Sequence, residues 1–250
     1  MLTTIELTLP ELAGQEVPAD ALERAERLAA GYLQAELVMR KYGIQQTIVV
    51  FGGTRIYESG TAGEGGSRDY YRIAREFGAI VGRSGQGPDD SRLTLMTGGG
   101  PGIMEAANRG ASDVGAKSIG LNIRLPHEQA PNTYISDELS FDFQYFALRK
   151  LHFLLRAKAL VVFPGGFGTM DELFETLNLV QCRKIDPLPV VLVGKEFWQR
   201  AVDMDFLAAS GLIDTGDTNL FWDAETADQI WNSIVTWYDR AGSPLLCETQ

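Results

Sequence analysis

A strand, a glycine turn and a helix start follow one another without a break in the stretch that ends at Glu172, and this succession restricts the fold more than any other feature. The apolar run Ala159-Leu160-Val161-Val162-Phe163 leads directly into Pro164-Gly165-Gly166-Phe167-Gly168-Thr169-Met170-Asp171-Glu172, and a helix-like run continues to about Lys184. A short, continuously apolar run fits a strand covered on both faces. The glycines permit a tight turn. Free N–H groups at a helix start, with the helix dipole behind them, favour an anion there. Glu172 stands one turn into the helix, beside the anion position. The expectation is chemistry on a phosphorylated small molecule held next to a fixed carboxylate.

The same unit recurs along the chain. Strands are expected at 47–51, 93–96, 118–123, 159–163, 188–193 and 219–222. Helices are expected at 18–42, 67–82 (capped by Ser67), 101–115, 144–158, 169–184, 197–210 and 224–240. Residues 124–142 read as irregular, carry Pro126, His127 and Pro131, and form a candidate lid or substrate loop. Alternation of this kind predicts a doubly wound, Rossmann-like α/β fold, with a mostly parallel sheet and helices on both faces. A single domain is expected over 46–250, with residues 1–45 an N-terminal arm (1–17) and a helix packed on the core. Ligands then bind at the carboxyl ends of the strands.

Composition narrows the partners. With 33 acidic against 22 basic residues the net charge is −11. That argues against nucleic-acid or anionic-membrane binding, although backbone amides and a few arginines suffice for one phosphate. The two cysteines, Cys182 and Cys247, and the two histidines, His127 and His152, show no metal-ligand spacing. A reducing, cytoplasmic setting is expected, with no metal and no membrane-spanning or leader segment.

Three glycine-rich turns follow three apolar strands: Gly52-Gly53, Gly98-Gly99-Gly100 and Gly165–Gly168. In a parallel sheet all three lie on one edge, where they either line a ligand site or merely satisfy tight corners. None matches GxGxxG or GxxxxGK[ST], which disfavours a dinucleotide-dependent oxidoreductase or a P-loop ATPase. Arg149 and Lys150 sit in the strongly apolar run before the last turn. Such charges either snorkel to solvent or face the site; here Arg149 would face Glu172. Arg55 reads as a phosphate contact or a solvated loop arginine, and Glu105 as a ribose or base contact or a dipole-compensating helix acid. Asp171 reads as a first-turn acid, Cys182 as a core residue, and Tyr70 and Tyr71 as packing residues.

The segment Thr97-Gly98-Gly99-Gly100-Pro101-Gly102-Ile103-Met104-Glu105-Ala106-Ala107-Asn108, the pair Arg149-Lys150 and the PGGxGTxxE pattern at Pro164–Glu172 together resemble the Lonely Guy (LOG) family. The resemblance extends in element order over about 46–240. It implies a nucleoside 5′-monophosphate phosphoribohydrolase, releasing free base and ribose 5-phosphate from cytokinin ribotides or AMP, without a cofactor and as a homodimer or larger oligomer. Arg149 and Glu172 match the family's catalytic pair, Gly165, Gly166, Gly168 and Thr169 its phosphate turn, and Gly98, Gly99 and Gly100 its second glycine turn. Lys150, Arg55 and Glu105 complete the expected binding set. The family's older label, lysine decarboxylase, finds no pyridoxal-phosphate lysine context here. Pro101, the Glu105–Asn108 continuation and Phe51–Arg55 depart from short plant-like members and bear on the base more than on the reaction. A non-catalytic carrier of a phosphorylated ligand, of the molybdenum-cofactor-carrier type, is the alternative; pure binding would not need the Arg149/Glu172 pair.

Overall fold

Short strands with no polar face can exist only between two helical layers, and the chain supplies both. In the computed structural model, which describes residues 18–58, 69–124 and 130–246, the elements run in the following order. They are α1 (Ala19–Lys41), β1 (Gln46–Phe51), α2 (Tyr70–Gly82), β2 (Leu93–Thr97), α3 (Ile103–Asp113), β3 (Ser118–Ile123), β4 (Ser140–Phe143) and α4 (Phe146–Leu155). Then come β5 (Ala157–Val162), α5 (Phe167–Gln181), β6 (Val190–Val193), α6 (Lys195–Ala201), α7 (Met204–Ala209), β7 (Phe221–Ala224) and α8 (Ala227–Ala241). The expected arm at 1–17, the Ser67 cap, Pro126, His127 and Cys247 lie outside the described residues.

The strands form one seven-stranded sheet in the order β4-β3-β2-β1-β5-β6-β7. Every pairing is parallel, so the sheet is more uniform than the mostly parallel one expected. Alternation within each buried strand divides the core. Ile48 and Val50 face a cluster with α2, α3 and α8, whereas Val49 and Phe51 face one with α1, α4, α5 and α6. Winding runs one way from β1 through β2, β3 and β4 and the other way from β5 to β7. The order therefore reverses between β1 and β5, where doubly wound sheets open a crevice. Among the described residues no helix is long and apolar enough to cross a membrane.

Several boundaries differ from expectation for local reasons. The 124–142 segment is not wholly irregular: Ser136 leads into a short 3-10 turn and then β4, whose Phe141 and Phe143 point inward while Ser140 and Asp142 point out. The expected helix at 197–210 is two helices, because Asp203 caps a new start by accepting from the Phe206 N–H at 2.8 Å. Helix α2 starts at Tyr70 with Asp69, not Ser67, as its cap; the Asp69 carboxylate accepts from Arg72 N–H at 3.0 Å. Helix α5 starts at Phe167, two residues earlier than expected. Helix α1 packs on α4 through a Tyr32–His152 stack at 5.1 Å and an Arg156–Glu36 ion pair at 2.7 Å.

Helices α2 and α3 cross unusually closely. A Cβ on Gly78 would strike the Ala107 carbonyl, and one on Gly110 would strike the Arg75 carbonyl. Backbone atoms cannot yield as a flexible side chain would. Overpacking costs about 1–3 kcal/mol, against about 1 kcal/mol of helix propensity gained by alanine. Gly78→Ala should therefore lower the unfolding free energy by up to about 2 kcal/mol. Urea denaturation followed by circular dichroism checks this, and an unshifted midpoint would refute the close crossing.

Candidate active site

The end of β5 forms the cradle. Gly166 caps α5 without a side chain, so the first N–H groups of the helix have no intrahelical or capping acceptor. Gly165 leaves no room for a Cβ, which would strike the Thr169 hydroxyl. Gly165, Gly166, Gly168 and Thr169 all line a cavity of about 870 Å³ at the sheet's carboxyl edge. Its other walls come from the 51–56 segment after β1 and from Gly98 and Gly100 after β2.

The three glycine turns interlock through Gly53. Its N–H donates to Pro164 C=O at 2.9 Å, and its carbonyl accepts from Ile103 N–H at 3.2 Å. Gly102, at φ +72°, lies against the Gly53 and Thr54 backbone, where a side chain would not fit. Gly53 thus both satisfies corner geometry and lines the cavity.

Arg149 and Glu172 meet across this cavity, both lining it. Arg149 projects from the first turn of α4 and is fixed by carbonyls: Nε donates to Leu121 C=O at 2.7 Å and a terminal nitrogen to Gly98 C=O at 3.4 Å. The Phe153 ring lies 5.1 Å from the guanidinium carbon. A Cβ on Gly98 would displace that guanidinium, which explains the glycine. Burial lowers the Arg149 pKa, and the facing Glu172 opposes this. No ion pair joins the two groups among the described residues; they interact through space. Glu172 is 6% exposed. Burial pushes its pKa up to about 7, against the pull of Lys150 and Arg149, while Glu175 and Asp171 add to the rise.

The remaining expected site residues divide. Arg55 lines the cavity, is exposed and makes no ion pair among the described residues. Lys150 is turned away: it pairs with Asp171 at 2.8 Å and Glu175 at 3.0 Å, tying α4 to α5. Glu105 also leaves the cavity, because its carboxylate accepts from the Tyr71 hydroxyl at 3.0 Å. Gly99, at φ +75°, does not line the cavity; its carbonyl faces Asn132. Cys182 is exposed, not a core residue.

Other lining residues escaped the sequence reading: Asn122 and Ile123 at the end of β3, Met104, and the rings of Phe146, Phe167 and Phe197. Asn122 carried a signal, being a polar residue at the carboxyl end of an apolar strand. The phenylalanines carried none, since apolar residues on helices read as core. Phe167 is 96% exposed at the cavity mouth.

The family model described as "Possible lysine decarboxylase" matches residues 104–234, just over half of the chain. The X-ray structure of TM1055, a structural-genomics target, is 23% identical with a TM-score of 0.53, covering 76% of this chain and 99% of its own. That likeness concerns the fold. The molybdenum cofactor binding protein from the phototrophic bacterium Rippkaea orientalis is 22% identical, covering 77% of this chain and 97% of its own. Its TM-score of 0.48 is too low to carry an argument. No curated protein is significantly similar to the chain.

The raised pKa of Glu172 has a consequence for stability. Unfolded, the group ionises near 4.5; folded, near 7. Between these values the folded state holds a proton that the unfolded state has lost, so stability falls as pH rises and levels off above about 7. The shift corresponds to a ceiling of about 3 kcal/mol. Glu172→Gln removes this dependence. The variant should gain stability over the wild type between pH 4.5 and pH 8, by up to about 3 kcal/mol. Chemical denaturation at both pH values reads the difference, and a constant difference would show that Glu172 is solvated.

Proposed function

Because the chain belongs to the family described as "Possible lysine decarboxylase", the LOG-type domain that its sequence resembles, we propose that it hydrolyses the N-glycosidic bond of a nucleoside 5′-monophosphate to free base and ribose 5-phosphate. The observation that carries this reading is the buried Glu172 beside an uncapped helix start, in one cavity with a fixed arginine. The phosphate sits on the Gly165–Thr169 turn, where backbone N–H groups and the helix dipole meet its charge. Remote binding of this kind fixes the sugar against the carboxylate.

Departure of the base builds positive charge on the ribose. Ionised Glu172 stabilises that charge and orients a water. The water oxygen bonds to C1′ as the C1′–N bond breaks, and its proton passes to the carboxylate. The base nitrogen takes the electron pair and then the proton, which Glu172 gives up to return to its carboxylate form. Arg149 offsets negative charge growing on the base, a role suited to a guanidinium whose Nε and one terminal N–H are already fixed by carbonyls. Arg55 at the exposed side adds a cation for the phosphate. The aromatic rings at the mouth give a purine such as adenine, or an N6-modified adenine, flat apolar surfaces.

Purified protein given AMP or an N6-modified AMP should release base and ribose 5-phosphate, read by chromatography. Glu172→Ala should reduce turnover by about 10²–10³-fold or more. Because the carboxylate form acts, kcat should rise with pH and level off above about 7, in step with the Glu172 pKa. Failure to release base from any purine or pyrimidine monophosphate would sink the proposal. Thermal stabilisation by a nucleotide without hydrolysis would favour a carrier instead.

The reading includes a homodimer. Leu33 and Leu37 on α1, Leu151 and Leu155 on α4 and Phe174 on α5 are exposed on helices that cover the same face of the sheet. Light scattering should give twice the 27.4 kDa chain mass, and Leu37→Glu should shift it to the monomer. A wild-type monomer at micromolar concentration would exclude this part of the proposal.

A further inference from the structure

Beneath the Gly98–Gly100 turn lies a closed polar network. Asn108, fully buried on α3, accepts from the Thr97 hydroxyl at 2.7 Å and from Asn132 Nδ2 at 3.0 Å. It donates to Ser118 Oγ at 2.9 Å. Thr97 Oγ1 in turn accepts the Gly99 N–H at 3.0 Å. Asn132 holds the turn from the other side. Its backbone N–H donates to Gly99 C=O at 2.9 Å, and its side-chain amide reaches the Gly99 and Gly100 carbonyls, both at 3.1 Å, its two hydrogens shared among these and Asn108 Oδ1. Its own Oδ1 accepts from Tyr134 N–H at 3.2 Å, which fixes the amide. Ser118 and Ser136 exchange further bonds, so the segment that carries Asn132 is stitched to β3.

This bonding has a directional result. In a trans peptide the C=O and the following N–H point in opposite directions. With Gly99 C=O turned toward Asn132, the Gly100 N–H points the other way, and Gly100 lines the cavity. Among the described residues no protein acceptor meets that N–H. The neighbouring Gly98 carbonyl receives Arg149, so this part of the turn lies at the reacting end of the cavity and not at the phosphate cradle.

We infer that Asn132 is a positioning residue: by holding the Gly99 and Gly100 carbonyls it aims the Gly100 N–H, beside Arg149, at the negative charge that grows on the leaving base. The inference rests on the proposed hydrolysis and adds a backbone donor to it. Pre-aimed donors of this type are worth about 10²–10³ in kcat, and a slackened rather than deleted donor retains part of that.

The test uses the full chain with Asn132→Ala and the near-isosteric Asn132→Asp, which keeps the acceptor for Tyr134 N–H but loses both side-chain donors. With AMP, kcat should fall at least about tenfold in both variants. Binding of ribose 5-phosphate, which engages the untouched phosphate turn, should stay within about twofold of wild type. With 4-nitrophenyl ribofuranoside 5-phosphate, whose leaving group needs no donor, the loss should shrink to under about threefold. Equal losses on both substrates, weakened ribose 5-phosphate binding or unchanged AMP turnover would each overturn the role of Asn132. Wild-type turnover run in parallel separates the two readings. A wild type that cleaves no monophosphate overturns the hydrolysis and this inference together, whereas an active wild type matched by its variants overturns this inference alone.

Discussion

The hydrogen bond from Gly53 N–H to Pro164 C=O sets the geometry on which the rest depends. It closes the end of the β1–β5 pair at the point where the strand order reverses. The Gly53 carbonyl then receives Ile103 N–H, so the turns after β1 and β5 are joined to the start of α3. Gly102 cannot carry a side chain because the Gly53 and Thr54 backbone lies against it, and Gly165 because the Thr169 side chain does. The cavity is what remains between turns that are already locked together.

Inside that frame the chain holds Glu172 in an environment unfavourable to its charge. Arg149 would relieve it as a direct ion pair, but carbonyls of Leu121 and Gly98 hold the guanidinium instead. Lys150, the other nearby cation, is taken by Asp171 and Glu175. The result is a carboxylate poised near neutrality with an arginine close by and uncommitted to it. Such an arrangement costs folding stability and leaves an ionisable group whose protonation is sensitive to the charges beside it.

Much of this was legible in the sequence, and the pattern of what was not is physical. Continuous apolar runs bounded by glycine revealed β1, β2, β3, β5 and β6, because strands buried on both faces have no other composition available. Strand β4 was hidden because its four residues alternate and sit on the sheet edge, where the signal is short. Arg149 was legible as a charge in an apolar helix. Its neighbour Lys150 carried the same signal and serves a different purpose, since one residue's rotation about a helix axis decides which side chain enters the cavity. Glu105 was left between two readings for a related reason: the Tyr71 hydroxyl that bonds to it comes from another helix, and no local pattern records that distance. The network through Asn108 and Asn132 joins residues that spacing alone does not connect.

Parallel pairing at the switch point has a consequence for how the chain becomes functional. Strand β1 is among the first elements made, yet it pairs Thr47 with Ala157 across three intervening strands and three helices. During synthesis its β5 edge stays open until β5 emerges, and the carboxylate on α5 arrives later still. Loop closure over such separations is slow. A nascent chain can therefore complete β1, β2, β3 and α3 while having neither a cradle nor a charged group to protect. The pKa-shifted carboxylate is added after these elements, onto a scaffold already able to hold it.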